Sequence, residues 1–526
     1  MTIKSEDLSS GRGIQVVVPG PEHTFILDEE ALSKLLLRED IKDRAVVVLS
    51  VAGAFRKGKS FLLDFFLRYM HHKYNLGETG DGWLGAVDEP LKGFPWRGGS
   101  ERDTTGLHLW SQPFKATLDN GEKVVVLLMD TQGTFDSQST VKDNATVFAL
   151  STMLSSVQIY NLSLNIDEDD LQHLQLFTDY GSLAQQKSSG KPFQKLQFLV
   201  RDWSYDYEYP YGAEGGQQLL SKRLEVHDGQ HHELQTLRRH IAACFEELAC
   251  FLMPHPGLRV ATNPEFSGRL SDISEEFKTY LKQLVPMLLA PHTLVPKRIG
   301  GQRVKARELL QYFRSYMNIF NGSELPQPKT ILEATAEANN LSAVAEAKEV
   351  YDSLMEEVCG GAKPYLEAAR LRAEHARARN KALHAFASRK KMGGGELAKE
   401  YSDKLEKELE ETFEQLLAHN EGKNIFRLAG TPIVLVALAL LGYMLSLLGS
   451  GLGVQTLVAI GQTISILSLV TLGLWGYSRV SGNMRDTGLR IDEVANTMKN
   501  YAMSQAVGPA SRIAAETAAG YTRKDS

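Results

Sequence analysis

Cysteine is scarce in this chain of 526 residues, which has three: Cys244, Cys250 and Cys359. Three thiols cannot build a disulfide framework, and their spacing suits no metal, so they read as buried thiols in a reducing compartment. The stretch from Met1 to Gly13 is polar and holds no hydrophobic run, which predicts that no secretory signal peptide is present. The sequons at Asn144, Asn161, Asn321 and Asn340 are then expected to stay unmodified in the cytosol. An excess of positive charge is also missing. The formal net charge is −6, so no nucleic-acid partner is expected. Local basic runs such as Arg389-Lys390-Lys391 read as a solvated helix face.

What is present separates into regions by composition, in a chain long enough for about three domains. A polar segment occupies residues 1–24. Residues 25–322 alternate β-rich apolar runs with helical stretches, which predicts an α/β domain with a mostly parallel sheet. Its candidate core strands are Val46–Ala52, Val124–Met129, Gln158–Leu162, Leu196–Val200 and Leu258–Ala261. Residues 323–328, ending in Pro326-Gln327-Pro328, read as a short stiff linker. Strand signals then disappear. Ala, Glu, Lys, Arg and Leu dominate residues 329–421, and breaks at Gly360-Gly361 and Gly393-Gly394-Gly395 predict a three-helix bundle.

Two apolar stretches follow, about 428–448 and 454–477 within residues 425–478. Each is long enough to cross a hydrocarbon core of about 30 Å. Only Gly449-Ser450-Gly451-Leu452-Gly453 joins them. Lys423 and Arg427 lie before the pair, and Arg479, Arg485 and Arg490 after it, so both ends are expected to face the cytosol. The lipid bilayer is thus an expected partner. In the cytosolic tail, 479–526, Ile491, Val494, Ala495, Met498 and Ala502 share one face of a candidate amphipathic helix, which reads equally as a solvated helix and as a membrane-surface one.

The most informative octapeptide is Gly53-Ala54-Phe55-Arg56-Lys57-Gly58-Lys59-Ser60, which fits the P-loop pattern G-x-x-x-x-G-K-[ST]. Backbone N–H groups can close around phosphate, Lys59 can reach the β- and γ-phosphates, and Ser60 can offer a hydroxyl to Mg²⁺. A buried-strand run precedes it. A helical run starting at Phe61 follows, whose N-terminus would face the phosphates. Downstream, the strand run Val124–Met129 ends in Asp130-Thr131-Gln132-Gly133, a D-x-x-G in which the aspartate would hold a magnesium-bound water and the glycine N–H would sense the γ-phosphate. Between the two lies Arg97-Gly98-Gly99-Ser100-Glu101-Arg102-Asp103-Thr104-Thr105-Gly106, a polar loop suited to a first switch. Thr104 is favoured as the direct Mg²⁺ ligand, with Thr105 as the alternative. No N/T-K-x-D tetrad follows a strand. Instead Leu196–Val200 runs into Arg201-Asp202, where a carboxylate could accept the N1 and N2 protons of guanine.

Together Gly53–Ser60, Arg97–Gly106, Asp130–Gly133 and Arg201-Asp202 resemble the atlastin and guanylate-binding branch of dynamin-like GTPases, which replaces the usual guanine tetrad with Arg-Asp. The linker, bundle, paired spans and short tail resemble the atlastins, so the likeness covers nearly the whole chain. It implies a GTPase in which Gly53, Ala54, Phe55, Arg56, Lys57, Gly58, Lys59, Ser60 and Phe61 form the nucleotide loop. Ser60, Thr104 and, through water, Asp130 would bind Mg²⁺, and Gly133 would belong to the second switch. Arg56 would be an arginine finger supplied in cis, an effect worth about 10³–10⁵ in rate among GTPases. Arg201 and Asp202 would read guanine. Val260-Ala261-Thr262-Asn263-Pro264 would cover the base, with Val260 and Asn263 as contacts. The resemblance further implies GTP and GDP as ligands, homodimerisation in trans through GTPase domains and bundles, and fusion of endoplasmic reticulum membranes. A hairpin scaffold that shapes or tethers membrane without fusing it is the alternative. The Ala-rich tail departs from the bulky amphipathic helix expected of atlastins.

Overall fold

The computed structural model describes residues 11–54, 57–96, 104–133, 140–175, 191–263, 265–321, 326–361, 363–423, 425–481, 484 and 486–502. Phe55, Arg56, the loop 97–103, Pro264 and linker residues 323–325 lie outside them. The chain divides into two compact units, residues 1–350 with 381–407 and residues 351–380 with 408–526.

The first unit is built on a sheet of nine strands among the described residues. Its centre is β3 (Ala45–Gly53), buried along its whole length as a β-branched run covered on both faces must be. The strands β1 (Gly13–Pro19), β2 (Phe25–Leu27), β4 (Leu107–Trp110), β5 (Phe114–Thr117), β6 (Lys123–Thr131), β7 (Val157–Ser163), β8 (Phe193–Arg201) and β9 (Phe245–Leu252) complete it in the order β2-β1-β4-β6-β3-β7-β8-β9, with β5 also on β6. The run β6-β3-β7-β8-β9 is parallel. The strands β1, β2, β4 and β5 pair antiparallel.

Two corrections to the sequence reading stand out. The segment 1–24 is not wholly outside the sheet, because Ile14-Gln15-Val16-Val17 lies in β1 and buries both valines completely. The expected core strand Leu258–Ala261 is instead a short helix, Leu258–Thr262, entered through Gly257 at φ 115°. The last strand of this sheet is β9, which begins at buried Phe245 directly after a helix and continues with the exposed pair Glu246-Glu247. That sequence reads as a continuing helix, and only pairing with β8 makes it a strand.

Helices cover both faces. We label α1 (Glu29–Leu36), α2 (Lys59–Met70), α3 (Val141–Leu154), α4 (Glu168–Gln172), α5 (Ala213–Leu224), α6 (His232–Cys244), α7 (Leu258–Thr262), α8 (Glu275–Leu289) and α9 (Ala306–Phe320). One core packs α1, α3, α5, α6 and α9 against Val46, Val48 and Ala52 of β3. The other packs α2 and α8 against Val47, Leu49 and Val51. Alternate residues of one strand therefore serve opposite layers.

The helical region consists of α10 (Pro328–Cys359), α11 (Ala368–Ser388) and α12 (Gly395–Gly422), ended near the predicted glycine breaks. Within the first unit, Arg389 bridges Glu308 at 2.6 Å and Glu346 at 2.9 Å, and Asn340 holds the Met392 carbonyl at 3.0 Å. Within the second, His375 stacks on Phe413 and its Nδ1 lies 2.8 Å from the Tyr351 hydroxyl. Asn420 there closes the loop after α10 by bonding both the N–H and the carbonyl of Leu366.

Also in the second unit are α13 (Ile425–Leu452) and α14 (Gln455–Ser481). Their segments Gly430–Leu452 and Gln455–Ser478, with mean hydropathy 2.3 and 2.0, are long and apolar enough to cross a membrane and are mostly exposed. Gly442 and Gly461 let the two backbones meet: a Cβ on Gly461 would sit 2.5 Å from the Gly442 carbonyl. Residues 486–502 form a helix, α15. Its Asp492 accepts hydrogen bonds from Thr431 of α13 (2.5 Å) and Trp475 of α14 (2.7 Å), and Ala495 is buried. The docked face is thus 488-492-495, while Val494, Met498 and Tyr501 stay exposed.

Candidate functional site

The carboxyl ends of the neighbouring parallel strands β3 and β6 open on the same side, in register at Val51 and Asp130. Ligands in such sheets bind in the crevice beyond the strand ends. Gly53 ends β3 at φ 144°, where a Cβ would stand 2.1 Å from the Asn161 carbonyl of β7. Only glycine fits so close an approach. Asn161 also donates from Nδ2 to the Lys57 carbonyl at 3.0 Å, which pins the far side of the loop. Gly58 then opens α2, whose first residues are Lys59 and Ser60.

Lys59 is buried and curls back, Nζ donating to the Ala54 carbonyl at 3.1 Å. Burial pushes its ammonium down to about 8, against the attraction of Asp130. Ser60 donates from Oγ to Asp130 Oδ2 at 2.5 Å and lies 3.3 Å from Thr104 Oγ1, which is itself 3.4 Å from the same carboxylate oxygen. Burial raises the Asp130 carboxyl to about 6, opposed by the Ser60 hydrogen bond and the charge on Lys59. Asp130 Oδ1 is buried without a hydrogen-bond partner. Two hydroxyls and a carboxylate with an orphaned oxygen form the hard-oxygen set that Mg²⁺ takes. Thr105 points elsewhere, its Oγ1 and carbonyl both engaged by Gln15 of β1.

The segments after β6 and before β4 are tied together. Gly106 N–H donates to Gln132 Oε1 at 2.9 Å, and Gln132 N–H donates to the Gly106 carbonyl at 2.8 Å. Gly133 follows at the edge of the described residues. Arg56 and Phe55 lie outside them, so the structure gives no position for the expected arginine finger.

Arg201 ends β8 and turns inward. Its buried guanidinium lies 5.4 Å over the Phe277 ring, and a Cβ on Gly58 would be 3.5 Å from its Nη1. It therefore supports the P-loop from beneath, with Nε and Nη1 lacking hydrogen-bond partners. Burial lowers its pKa, against the neighbouring Asp202. Asp202 is half-exposed in a left-handed conformation, φ 58°, which an aspartate tolerates better than most residues. Val260 and Asn263 lie on and just after α7. Asn263 is exposed and accepts from the Glu265 N–H at 3.0 Å, while Val260 packs on the α2–α8 core. The structure thus brings Lys59, Ser60, Thr104 and Asp130 into one cluster, with Arg201 against the loop. Sequence reasoning missed the roles of Asn161, Gln132 and Phe277: Asn161 reads there only as a sequon, Gln132 only as a variable position of the D-x-x-G, and Phe277 lies in no motif.

Comparison with known proteins agrees with this geometry. Residues 22–298 match the guanylate-binding protein N-terminal domain, and residues 300–425 match the guanylate-binding protein C-terminal domain. Over 93% of this chain and 90% of the relative, the sequence is 60% identical to Atlastin of Drosophila melanogaster. It is 54% identical to human Atlastin-2, over 92% of this chain and 82% of the relative. Against Atlastin-1 of Macaca fascicularis the identity is 51%, over 94% and 87%.

Proposed function

The chain belongs to the guanylate-binding protein family of dynamin-like GTPases, among the atlastins, and on that footing we propose that it tethers and fuses endoplasmic reticulum membranes through GTP-dependent pairing of its α/β domains from opposed bilayers. The observation that carries the reading is the convergence of Lys59, Ser60, Thr104 and Asp130 in a chain that also has two apolar helices of membrane-crossing length. A passive scaffold has no use for a lysine, two hydroxyls and a carboxylate gathered at the carboxyl ends of two parallel strands.

In this reading the loop from Gly53 to Phe61 cradles the phosphates, and Lys59 exchanges the Ala54 carbonyl for phosphate oxygens. Ser60 and Thr104 would hold Mg²⁺ directly and Asp130 through water, and the bound ion would neutralise charge developing on the phosphates. Thr104 closes over the γ-phosphate, and Gly133 responds to its loss through the Gly106–Gln132 tie. Arg56 supplies positive charge to the transition state. Asp202 reads the guanine edge, Arg201 supports it and the P-loop, and Val260 and Asn263 cover the base. The hairpin anchors both units, with termini in the cytosol.

Liposomes carrying the full chain test this directly by dilution of a lipid dye. Mixing is expected with GTP and Mg²⁺, and absent with GDP or with Lys59→Ala. Clustering of liposomes with GTP but no dye dilution in the wild type would favour a tether that does not fuse.

A further inference from the structure

Residues 84–96 form a strap that runs from the far end of α2 back toward the nucleotide site. Two side chains of α2 hold it. Arg68 donates to the carbonyls of Leu84 and, at 3.0 Å, Pro90. Asp64, one turn beyond Ser60 and fully buried, accepts the Phe94 N–H at 2.7 Å on Oδ1 and the Trp96 indole N–H at 2.8 Å on Oδ2. The contact is close enough that a Cβ on Gly93 would stand 2.1 Å from Asp64 Oδ1.

The strap in turn carries the segment that follows the base-covering residues. Leu91 N–H donates to the Ser267 carbonyl at 2.9 Å, and Ser271 N–H donates to Val87 at 3.1 Å. The Trp96 ring packs against both Phe61 and Phe266, with centroids 5.4 and 5.7 Å away, and those two rings also meet each other at 5.8 Å. Phe61 directly follows Ser60, and it also approaches Phe277, over which Arg201 lies. One aromatic cluster thus joins the start of α2, the base-side loop and the Arg-Asp pair. Burying a carboxylate at its root is costly, since burial raises Asp64 to about 8.

We propose that Asp64 and Trp96 are positioning residues for the guanine-side wall of the nucleotide site, with Asp64 fixing the indole and the indole fixing Phe266, shortly after α7, against the start of α2. They touch neither phosphate nor metal, so they set nucleotide affinity rather than the chemical step. The inference rests on the assignment of Asp202, Val260 and Asn263 to the base.

The test measures steady-state hydrolysis and binding of a fluorescent GDP analogue by the full chain in detergent. Trp96→Phe keeps a ring and loses the indole N–H, while Trp96→Ala also loses the ring's packing on Phe61 and Phe266. Loss of binding shared by ground and transition states should raise KM and the GDP analogue's Kd by roughly three- to tenfold in Trp96→Phe, and further in Trp96→Ala, with kcat within about twofold. Asp64→Asn retains one acceptor oxygen and should fall between wild type and Trp96→Phe. Combined with Trp96→Phe it should add little, because the hydrogen bond is already gone. Unchanged KM and Kd in both Trp96 variants would overturn the proposal. So would a fall in kcat matched by a fall in folded fraction at constant KM, which is the mark of a merely structural residue. Wild-type protein that fails to prefer the GDP analogue over its ADP counterpart would instead overturn the base-site assignment, and the positioning role with it.

Discussion

Lys297 is fully buried in the α/β domain, where its ammonium donates to the Ser155 carbonyl at 2.7 Å. Burial alone pushes it down to about 7 from the usual 10.5. Between those two values the unfolded chain holds a proton that the folded chain has released. Stability therefore rises with pH across that window, and below it the fold carries the full penalty of a buried charge. Lys297→Met should abolish this slope and match or exceed wild-type stability at pH 7. Thermal midpoints of both proteins in detergent at pH 7 and pH 9 decide it, and the same pH response in both would refute it. At this scale the clustering of Lys59, Ser60 and Asp130 was legible, since they lie in short motifs whose spacing is local. The choice between Thr104 and Thr105 was not, because it depends on Gln15 of a distant strand taking one of two adjacent hydroxyls. The inward turn of Arg201 was equally hidden, since it depends on Phe277 of α8 offering a ring.

Among elements, β3 and β6 could be read directly as near-continuous aliphatic runs, and β7 and β8 by shorter apolar stretches broken by Gln, Asn or Lys. The exchange of Leu258–Ala261 for β9 shows the limit. An edge strand whose second and third residues are glutamates, following directly on a helix, has no local signature, and a β-branched residue in a one-turn helix misleads. The tail helix teaches a similar lesson. Its composition located the helix, but the face that docks is set by Asp492, which a hydrophobic pattern ignores. A carboxylate accepting from Thr431 and Trp475 fastens α15 to both apolar helices at once. Hydrogen bonds to a charged group contribute about 1.5–3 kcal/mol. Asp492→Ala should consequently speed amide hydrogen exchange across 486–502 by about tenfold or more in lipid nanodiscs, with Asp492→Asn intermediate. Unaltered exchange in the alanine variant would mean that α15 is held by other contacts.

For the whole molecule, the order of α/β domain, three helices and apolar pair was plain from composition, because each environment selects a different alphabet. The division into compact units was not, since it runs through the middle of α10, α11 and α12 rather than at a proline or glycine. That division bears on where the soluble machine ends. Every nucleotide contact assigned above lies before residue 265, and the first apolar helix begins at Ile425. Asn420 closes the loop at Leu366, and Lys423 donates to the Cys359 carbonyl at 2.8 Å and to Gly361 at 2.9 Å. A fragment ending at Lys423 keeps these clamps, whereas one ending at His419 loses both residues. We expect the longer fragment to be soluble, to hydrolyse GTP, and to melt several degrees above the shorter one, consistent with a few hydrogen bonds of about 1 kcal/mol each. Pairing in trans further requires it to pass from monomer to dimer when loaded with a non-hydrolysable GTP analogue. Light scattering behind size exclusion, with each nucleotide in turn, reads this out. A fragment that hydrolyses GTP yet stays monomeric in every nucleotide state would remove the dimerisation step from the mechanism. The hairpin, with its close crossing at Gly442 and Gly461, would then be the part that acts on membrane, and a curvature scaffold would be the better account of the chain.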